Sequence, residues 1–249
     1  MRFSRRRALQ IAAAGAGALA LPAAVEAQEP LDNVKILVGF PPGGTADVVA
    51  RQLSDKLVPG YARGVIVDNR PGAAGRIAID ALKGSPPDGR TMLVTPASTM
   101  TVYPHVYQQL SYNPATDVTP VTVASTFVHG FAVGPMVPAS ITNLAQFAEW
   151  ARANPGKANC GNPGEGSLPH FLTILLAKAL NAPIQAVPYR GGAPALADMT
   201  GGQIASLLLP DGAFLAFSQD NRARVLATSG PTRSPFYPNV PTFADQGVK

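Results

Sequence analysis

An α/β fold of two lobes, with mostly parallel sheets and flanking helices, is predicted by three features of the chain. Short apolar runs alternate with segments of helical period in the first hundred residues, the order strand, helix, strand, helix, strand that builds a parallel sheet. The second half repeats this alternation with different lengths. Between the halves, residues 112–137 are rich in Val, Thr and Ser and lack a helical period, which suits extended segments passing between lobes.

Each element follows from its own pattern. Residues 34–40 are a continuous apolar run with one Lys, read as a buried strand that Pro41-Pro42-Gly43-Gly44 breaks. Thr45 or Asp47 can cap a helix in which Val49, Leu53 and Leu57 recur every four residues until Pro59-Gly60. Residues 65–67 give a second strand, Ile77, Ala78, Ala81 and Leu82 a helix ending before Pro86-Pro87, and residues 91–95 a third strand. In the second half, Asn143 with Gln146 forms a capping box, and Leu144, Phe147, Ala148 and Ala151 make a helical stripe ending at Pro155-Gly156. A short strand then reaches Cys160, and a loop leads into a helix bearing Phe171, Leu172, Leu175, Leu176 and Ala179. A strand at 184–189 follows, and a further helix, strand and helix lead to a strand at 224–228.

Composition bounds the function. The chain has 249 residues, 46% of them hydrophobic, enough for a packed core in one to two domains. Gly (24) and Pro (25) stay below the level of low-complexity disorder, and collagen, coiled coil and multi-span membrane protein are excluded. The formal charge of +5 points at first to an acidic partner such as nucleic acid. Arg2, Arg5, Arg6 and Arg7, however, precede an apolar run at 11–25 and the small-residue site Val25-Glu26-Ala27, the pattern of an export signal over residues 1–27. The run is shorter than the roughly 20 residues that span a bilayer. Ser4-Arg5-Arg6-Arg7 also resembles the twin-arginine export pattern. Without the leader, 16 basic residues face 14 acidic ones, a net +2, and the case for nucleic acid falls. Lobe 1 is then expected at 28–121 and lobe 2 at 122–224, with residues 225–249 as a return crossing toward lobe 1. No repeat or linker separates the halves.

Cys160 is the sole cysteine, so no internal disulfide or cysteine zinc site can form. None of His105, His129 and His170 lies near it in sequence, which reads as a buried structural thiol rather than a nucleophile.

Ligands of such sheets sit beyond the carboxyl ends of strands. Five unusual loops fall there: Phe40-Pro41-Pro42-Gly43-Gly44-Thr45-Ala46-Asp47, Thr95-Pro96-Ala97-Ser98, residues 161–167 with Gly164, Gly166 and Ser167, Tyr189-Arg190-Gly191-Gly192, and Pro210-Asp211-Gly212. Residues 43–47 open a helix whose free N–H groups suit a carboxylate or phosphate, although such glycines also simply make tight turns with Asp47 as a cap. Arg190 can hold a carboxylate bidentately or stand solvated. Asp211 can accept from a ligand or start its helix, and Ser167 can donate to a ligand oxygen or serve as an N-cap. His170, in the first turn of a helix, has no carboxylate beside it to support catalysis. Gly44→Val is expected to weaken binding more than Arg190→Ala, because it places a β-branched residue in a turn that needs φ > 0.

A dinucleotide-dependent enzyme is the rival reading, since Asp68 ends the second strand, but adjacent Gly43 and Gly44 do not give G-x-G-x-x-G. No P-loop, metal motif or catalytic triad is present, so binding without chemistry, and without a cofactor, is favoured.

Linked motifs add a resemblance over the whole mature chain. Val38-Gly39-Phe40-Pro41-Pro42-Gly43-Gly44-Thr45-Ala46-Asp47, Asp68-Asn69-Arg70-Pro71-Gly72-Ala73-Ala74-Gly75, Pro87-Asp88-Gly89-Arg90-Thr91, Val187-Pro188-Tyr189-Arg190-Gly191 and Pro238-Asn239-Val240-Pro241-Thr242 resemble the substrate-binding proteins of tripartite tricarboxylate transporters, the Bug family. The resemblance implies a periplasmic-binding-protein-like fold of type II. It implies a monomeric periplasmic receptor that closes on a mono-, di- or tricarboxylate and hands it to a two-component permease. A loaded receptor can also signal to a membrane sensor kinase. Residues 40–47 and the 164–170 loop, with His170, would contact the ligand from the two lobes. At Leu209-Pro210-Asp211 the chain has Pro where the family commonly has Asp. Members continue beyond the last motif, so a truncated C-terminus, marginal stability and poor binding are also expected.

Overall fold

The computed structural model describes residues 29–220 and 222–248, and Leu31–Lys249 form one compact unit. The expected export signal lies outside the described residues.

The apolar run after residue 30 forms β1 (Leu31–Val38), the central strand of a three-stranded sheet, flanked by β2 (Ala62–Asn69) and β3 (Thr91–Val94). Both pairings are parallel. Val34, Ile36, Leu37 and Val38 are all buried, as a central parallel strand requires on both faces. Helix α1 (Thr45–Leu57) makes the first crossover and lays Ala50, Leu53 and Leu57 on Ile36 and Val38. Helix α2 (Arg76–Lys83) makes the second and buries Ala78 and Ile79, while Ile77, expected on the core stripe, is 47% exposed. Two single-turn helices follow, α3 (Ser98–Thr101) and α4 (Tyr103–Val106). They are pinned to the first lobe by the Tyr103 hydroxyl, which donates to the Ala74 carbonyl at 3.0 Å. Lys83 holds the chain beyond them, 2.8 Å from the Asp117 carboxylate and 2.9 Å from the Ser111 carbonyl.

Residues 118–128 then cross without regular structure, so the extended stretch expected within 112–137 becomes a strand only at β4 (His129–Val133). The second sheet adds α5 (Leu144–Ala153), β5 (Asn159–Asn162), α6 (Leu168–Ala179), β6 (Gln185–Pro188), α7 (Gly192–Thr200), β7 (Ser206–Pro210), α8 (Leu215–Ser218) and β8 (Arg224–Thr228). Its strand order is β6-β5-β7-β4-β8. Strand β5 is parallel to β6 and β7, and β4 is antiparallel to β7 and β8. The antiparallel strand is the one entered from the crossing segment rather than through a helical crossover, the connection that parallel neighbours need.

Two caps differ in detail from the sequence expectation. Asn143 caps α5, its side chain accepting from Gln146 N–H at 2.9 Å, but Gln146 reaches back to the amide of Thr142 at 2.7 Å, one residue further out. At α1 neither Thr45 nor Asp47 is the N-cap. Gly44 occupies that place, and Asp47 sits at the third helical position.

The second core is the larger. Phe131, Phe147, Leu144, Cys160 and Leu208 fill one face of the second sheet, and Met199, Leu207 and Phe214 the other. Cys160 is fully buried, and burial pushes its thiol up to about 11. Of the stretch expected as a return toward lobe 1, residues 225–248 lie along the second sheet. Strand β8 pairs with β4, the Phe243 amide donates to the Thr228 carbonyl at 2.8 Å, and Phe243 and Val248 pack on the second core. The reason is apolar cover: these two side chains find their burial there.

Candidate ligand-binding cleft

The carboxyl ends of β1 and β2 in the first lobe, and of β5 and β6 in the second, border a cleft of about 530 Å³. Glycines let its walls approach. A β-carbon on Gly39 would stand 2.5 Å from Gly75 Cα, so the loops after β1 and β2 touch backbone to backbone. The wall from Gly72 to Gly75 is unusual in that all four residues have positive φ, including Ala73 (47°) and Ala74 (53°). Non-glycine residues held there carry strain of about 1–3 kcal/mol each, and such strain clusters at binding sites.

Of the residues expected to bind ligand, Phe40 and Pro41 line the cleft from the first lobe. Gly164, Gly166, His170, Tyr189, Arg190 and Gly191 line it from the second. The amide of Gly166 donates to His170 Nδ1 at 3.1 Å, which leaves Nε2 as the protonated nitrogen. Tyr189 donates its hydroxyl to Asp198 at 2.8 Å, and burial first, that carboxylate second, push its phenol up to about 12. Tyr189 therefore stays neutral.

The other expected residues stand outside the lining, each with a physical reason. The Asp47 carboxylate is turned inward, accepting from the Gly43 amide at 2.9 Å, from Asn69 at 2.9 Å and from Arg51 at 3.0 Å. Burial raises its pKa, but hydrogen bonds from Arg51, Gly43 and Asn69 outweigh burial and hold it below the usual carboxylate range. The amide of Gly43 is thereby taken, and Gly44, Thr45 and Ala46 turn with the helix start away from the cleft wall. Positive φ belongs to Gly43 (81°), whereas Gly44 is extended at −79°, so the strain argued for Gly44→Val moves one residue back. Ala97 and Ser98 start α3. Ser167 is the N-cap of α6, its hydroxyl accepting from His170 N–H at 3.4 Å. Asp211 is buried in hydrogen bonds to Ser234 and the Gly212 amide, beside a smaller cavity with Phe127 and Phe236.

The lining also takes in residues outside the expected set, the wall from Pro71 to Arg76 with Tyr107 and Phe171, while Glu165 belongs to the 164–170 loop already expected to contact the ligand. The Pro-Gly-Ala-Ala-Gly run after β2 carries the same glycine signal as the loops after β1 and β5. Tyr107 and Phe171 carry none, because their place depends on how the lobes meet. The full charges on the lining are the guanidinium groups of Arg76 and Arg190 and the carboxylate of Glu165, an excess of positive charge. Among the described residues no group of three or more His, Cys, Asp or Glu is placed to hold a metal ion.

Two α/β lobes bordering a loop-lined cleft are the architecture of the periplasmic binding protein BugD. The model of the tripartite tricarboxylate transporter family receptor matches residues 49–249, and the chain belongs to that family. BugT of Bordetella pertussis is 32% identical over 219 residues, which cover 88% of this chain and 67% of that protein. A UPF0065 protein from the gbd 5′ region of Cupriavidus necator is 28% identical over 250 residues, 99% of this chain and 74% of its own length. A further UPF0065 protein, of Pseudomonas sp. strain P51, is 33% identical, and this chain spans 61% of it. Among solved structures, Rpa4515 of R. palustris with adipate superposes with a TM-score of 0.80 at 31% identity, over 88% of this chain and 73% of that one. The periplasmic binding protein BugD superposes with a TM-score of 0.78 at 27% identity, over the same shares. The matched family is one of receptors, and BugD is a periplasmic binding protein.

Proposed function

We propose that the protein, exported to the periplasm with its leader cut near Ala27, captures a small carboxylated organic acid as a monomer. It delivers that acid, unchanged, to the membrane permease subunits of a tripartite tricarboxylate transporter. The observation that carries the reading is the lining itself: Arg76 from one lobe and Arg190 from the other line, together with a single carboxylate, Glu165, a space of about 530 Å³. A guanidinium binds a carboxylate through two parallel hydrogen bonds. His170 Nε2–H adds a further donor. Micromolar affinity amounts to about −8 kcal/mol, and charge-assisted hydrogen bonds contribute about 1.5–3 kcal/mol each. Three or four such anchors, beyond the contacts that offset the cost of association, reach that order. The relative that holds adipate supports the class of ligand.

A thermal-shift panel of mono-, di- and tricarboxylates tests capture, because a ligand at 100 times its Kd adds about 2.7 kcal/mol to stability. At least one acid should raise the melting temperature and leave the assay chemically unaltered. Uptake of that acid into proteoliposomes carrying the permease, dependent on added receptor, tests delivery. Association with a sensor kinase and not with a permease would replace transport by signalling.

A further inference from the structure

Tyr107 follows α4 in the first lobe, and its ring is held on two sides. The edge of Tyr103 meets it at a centroid distance of 5.1 Å, and the Arg76 guanidinium lies 4.0 Å over its face. Its hydroxyl crosses to the second lobe and donates to the Glu165 carbonyl at 3.0 Å. Beside that bond lies Gly166, with φ at 72°. A β-carbon there would fall 2.1 Å from the Tyr107 hydroxyl oxygen and 2.7 Å from Cζ, so the phenol occupies the space that any other residue would need.

The loop it touches is tied to the rest of the second-lobe wall. Gly164 N–H donates to the Asn162 side chain at 3.3 Å, Gly191 N–H donates to the Pro163 carbonyl at 3.1 Å, and Gly166 N–H donates to His170 at 3.1 Å. A shift of Gly166 therefore moves His170 as well.

We propose that Tyr107 is a closure latch: a first-lobe side chain that seats over Gly166 and holds the lobes closed while it fixes His170 toward the cleft. Tyr107 is a positioning residue, acting on the ligand through the 164–166 loop. Its effect on affinity rests on the proposed function, but its effect on lobe separation does not.

The test is a distance measurement by double electron–electron resonance on the purified protein without ligand, with spin labels at Asp55→Cys in α1 and Lys178→Cys in α6; Cys160, being buried, stays unlabelled. Gly166→Ala should shift the distance distribution to longer values, and Tyr107→Phe should shift it in the same direction by less. An acid that binds the wild-type protein should bind Gly166→Ala roughly tenfold more weakly, about 1.4 kcal/mol. Distance distributions that coincide with wild type would overturn the latch, and should Gly166→Ala fail to fold, Tyr107→Phe decides alone. If no acid binds the wild type, the functional reading fails while the distances still judge the latch.

Discussion

Gly191 and Pro41 meet across the cleft so closely that a β-carbon on Gly191 would stand 2.4 Å from Pro41 Cδ. Gly191 also has φ at 115°, where L residues are strained, and it is the N-cap of α7. Gly191→Ala should therefore cost about 1–3 kcal/mol, with about 2–4 °C in Tm for each kcal/mol in a chain of this size. Thermal unfolding checks the first effect. Calorimetry checks the second, a weaker ligand, since the Tyr189 to Gly191 wall must move away from the first lobe.

Asp47 organises the turn that starts α1. Replacing it by Asn keeps the size but loses the charge that Arg51 and the Gly43 amide share, and a charged hydrogen bond contributes about 1.5–3 kcal/mol. Asp47→Asn should be less stable at pH 7 by that order, with ligand affinity changed much less than in Gly191→Ala. The folded carboxyl has a lowered pKa. Its contribution is therefore present above the unfolded value and lost as pH falls through the folded one, so wild type and Asp47→Asn should converge in strong acid.

His129 gives a separate acid sensitivity. It is 7% exposed, and burial pushes its imidazole down to about 4. Between pH 6.5 and 4 the unfolded chain binds the proton and the folded one does not, so stability falls as pH is lowered through that window. Each pKa unit is worth 1.36 kcal/mol, so the loss is about 3 kcal/mol. In His129→Phe, denaturant unfolding at pH 7 and pH 4.5 should show that slope removed.

The thiol of Cys160 should be inert toward a disulfide reagent at pH 7 in the folded protein, since it is fully buried with its titration pushed up to about 11. Denaturant should expose one reactive thiol per chain. Rapid labelling without denaturant would contradict the core described around β5.

How much of this was legible in the sequence follows from the range of each interaction. Strand β1 and helices α1 and α5 were readable because apolar period and turn residues are local signals, as in the Val34 to Val38 run and the Asn143 cap. Strand β4 was harder, since its pairing with β7 and β8 is a long-range fact about sheet order. The same holds for the cleft. Loops after β5 and β6 were identified by their glycines, but the inward turn of Asp47 toward Asn69, 22 residues on, left no trace in spacing. Helix α6 shows the limit of a stripe: Leu175, expected in the core, is 60% exposed, while Thr173 is buried against Cys160. Tyr107 reaches Glu165 over 58 residues, a contact that only the meeting of the lobes creates.

Carboxylate binding in the cleft between Arg76 and Arg190 is the property on which the proposed function stands. Isothermal titration of the wild-type protein and of Arg190→Ala with the same panel of acids, and with NAD, measures it most directly. One site per chain is expected for at least one acid, weakened by up to about 3 kcal/mol in Arg190→Ala where the ligand desolvates that guanidinium, with no binding of NAD. Binding of NAD in preference to every acid would contradict it.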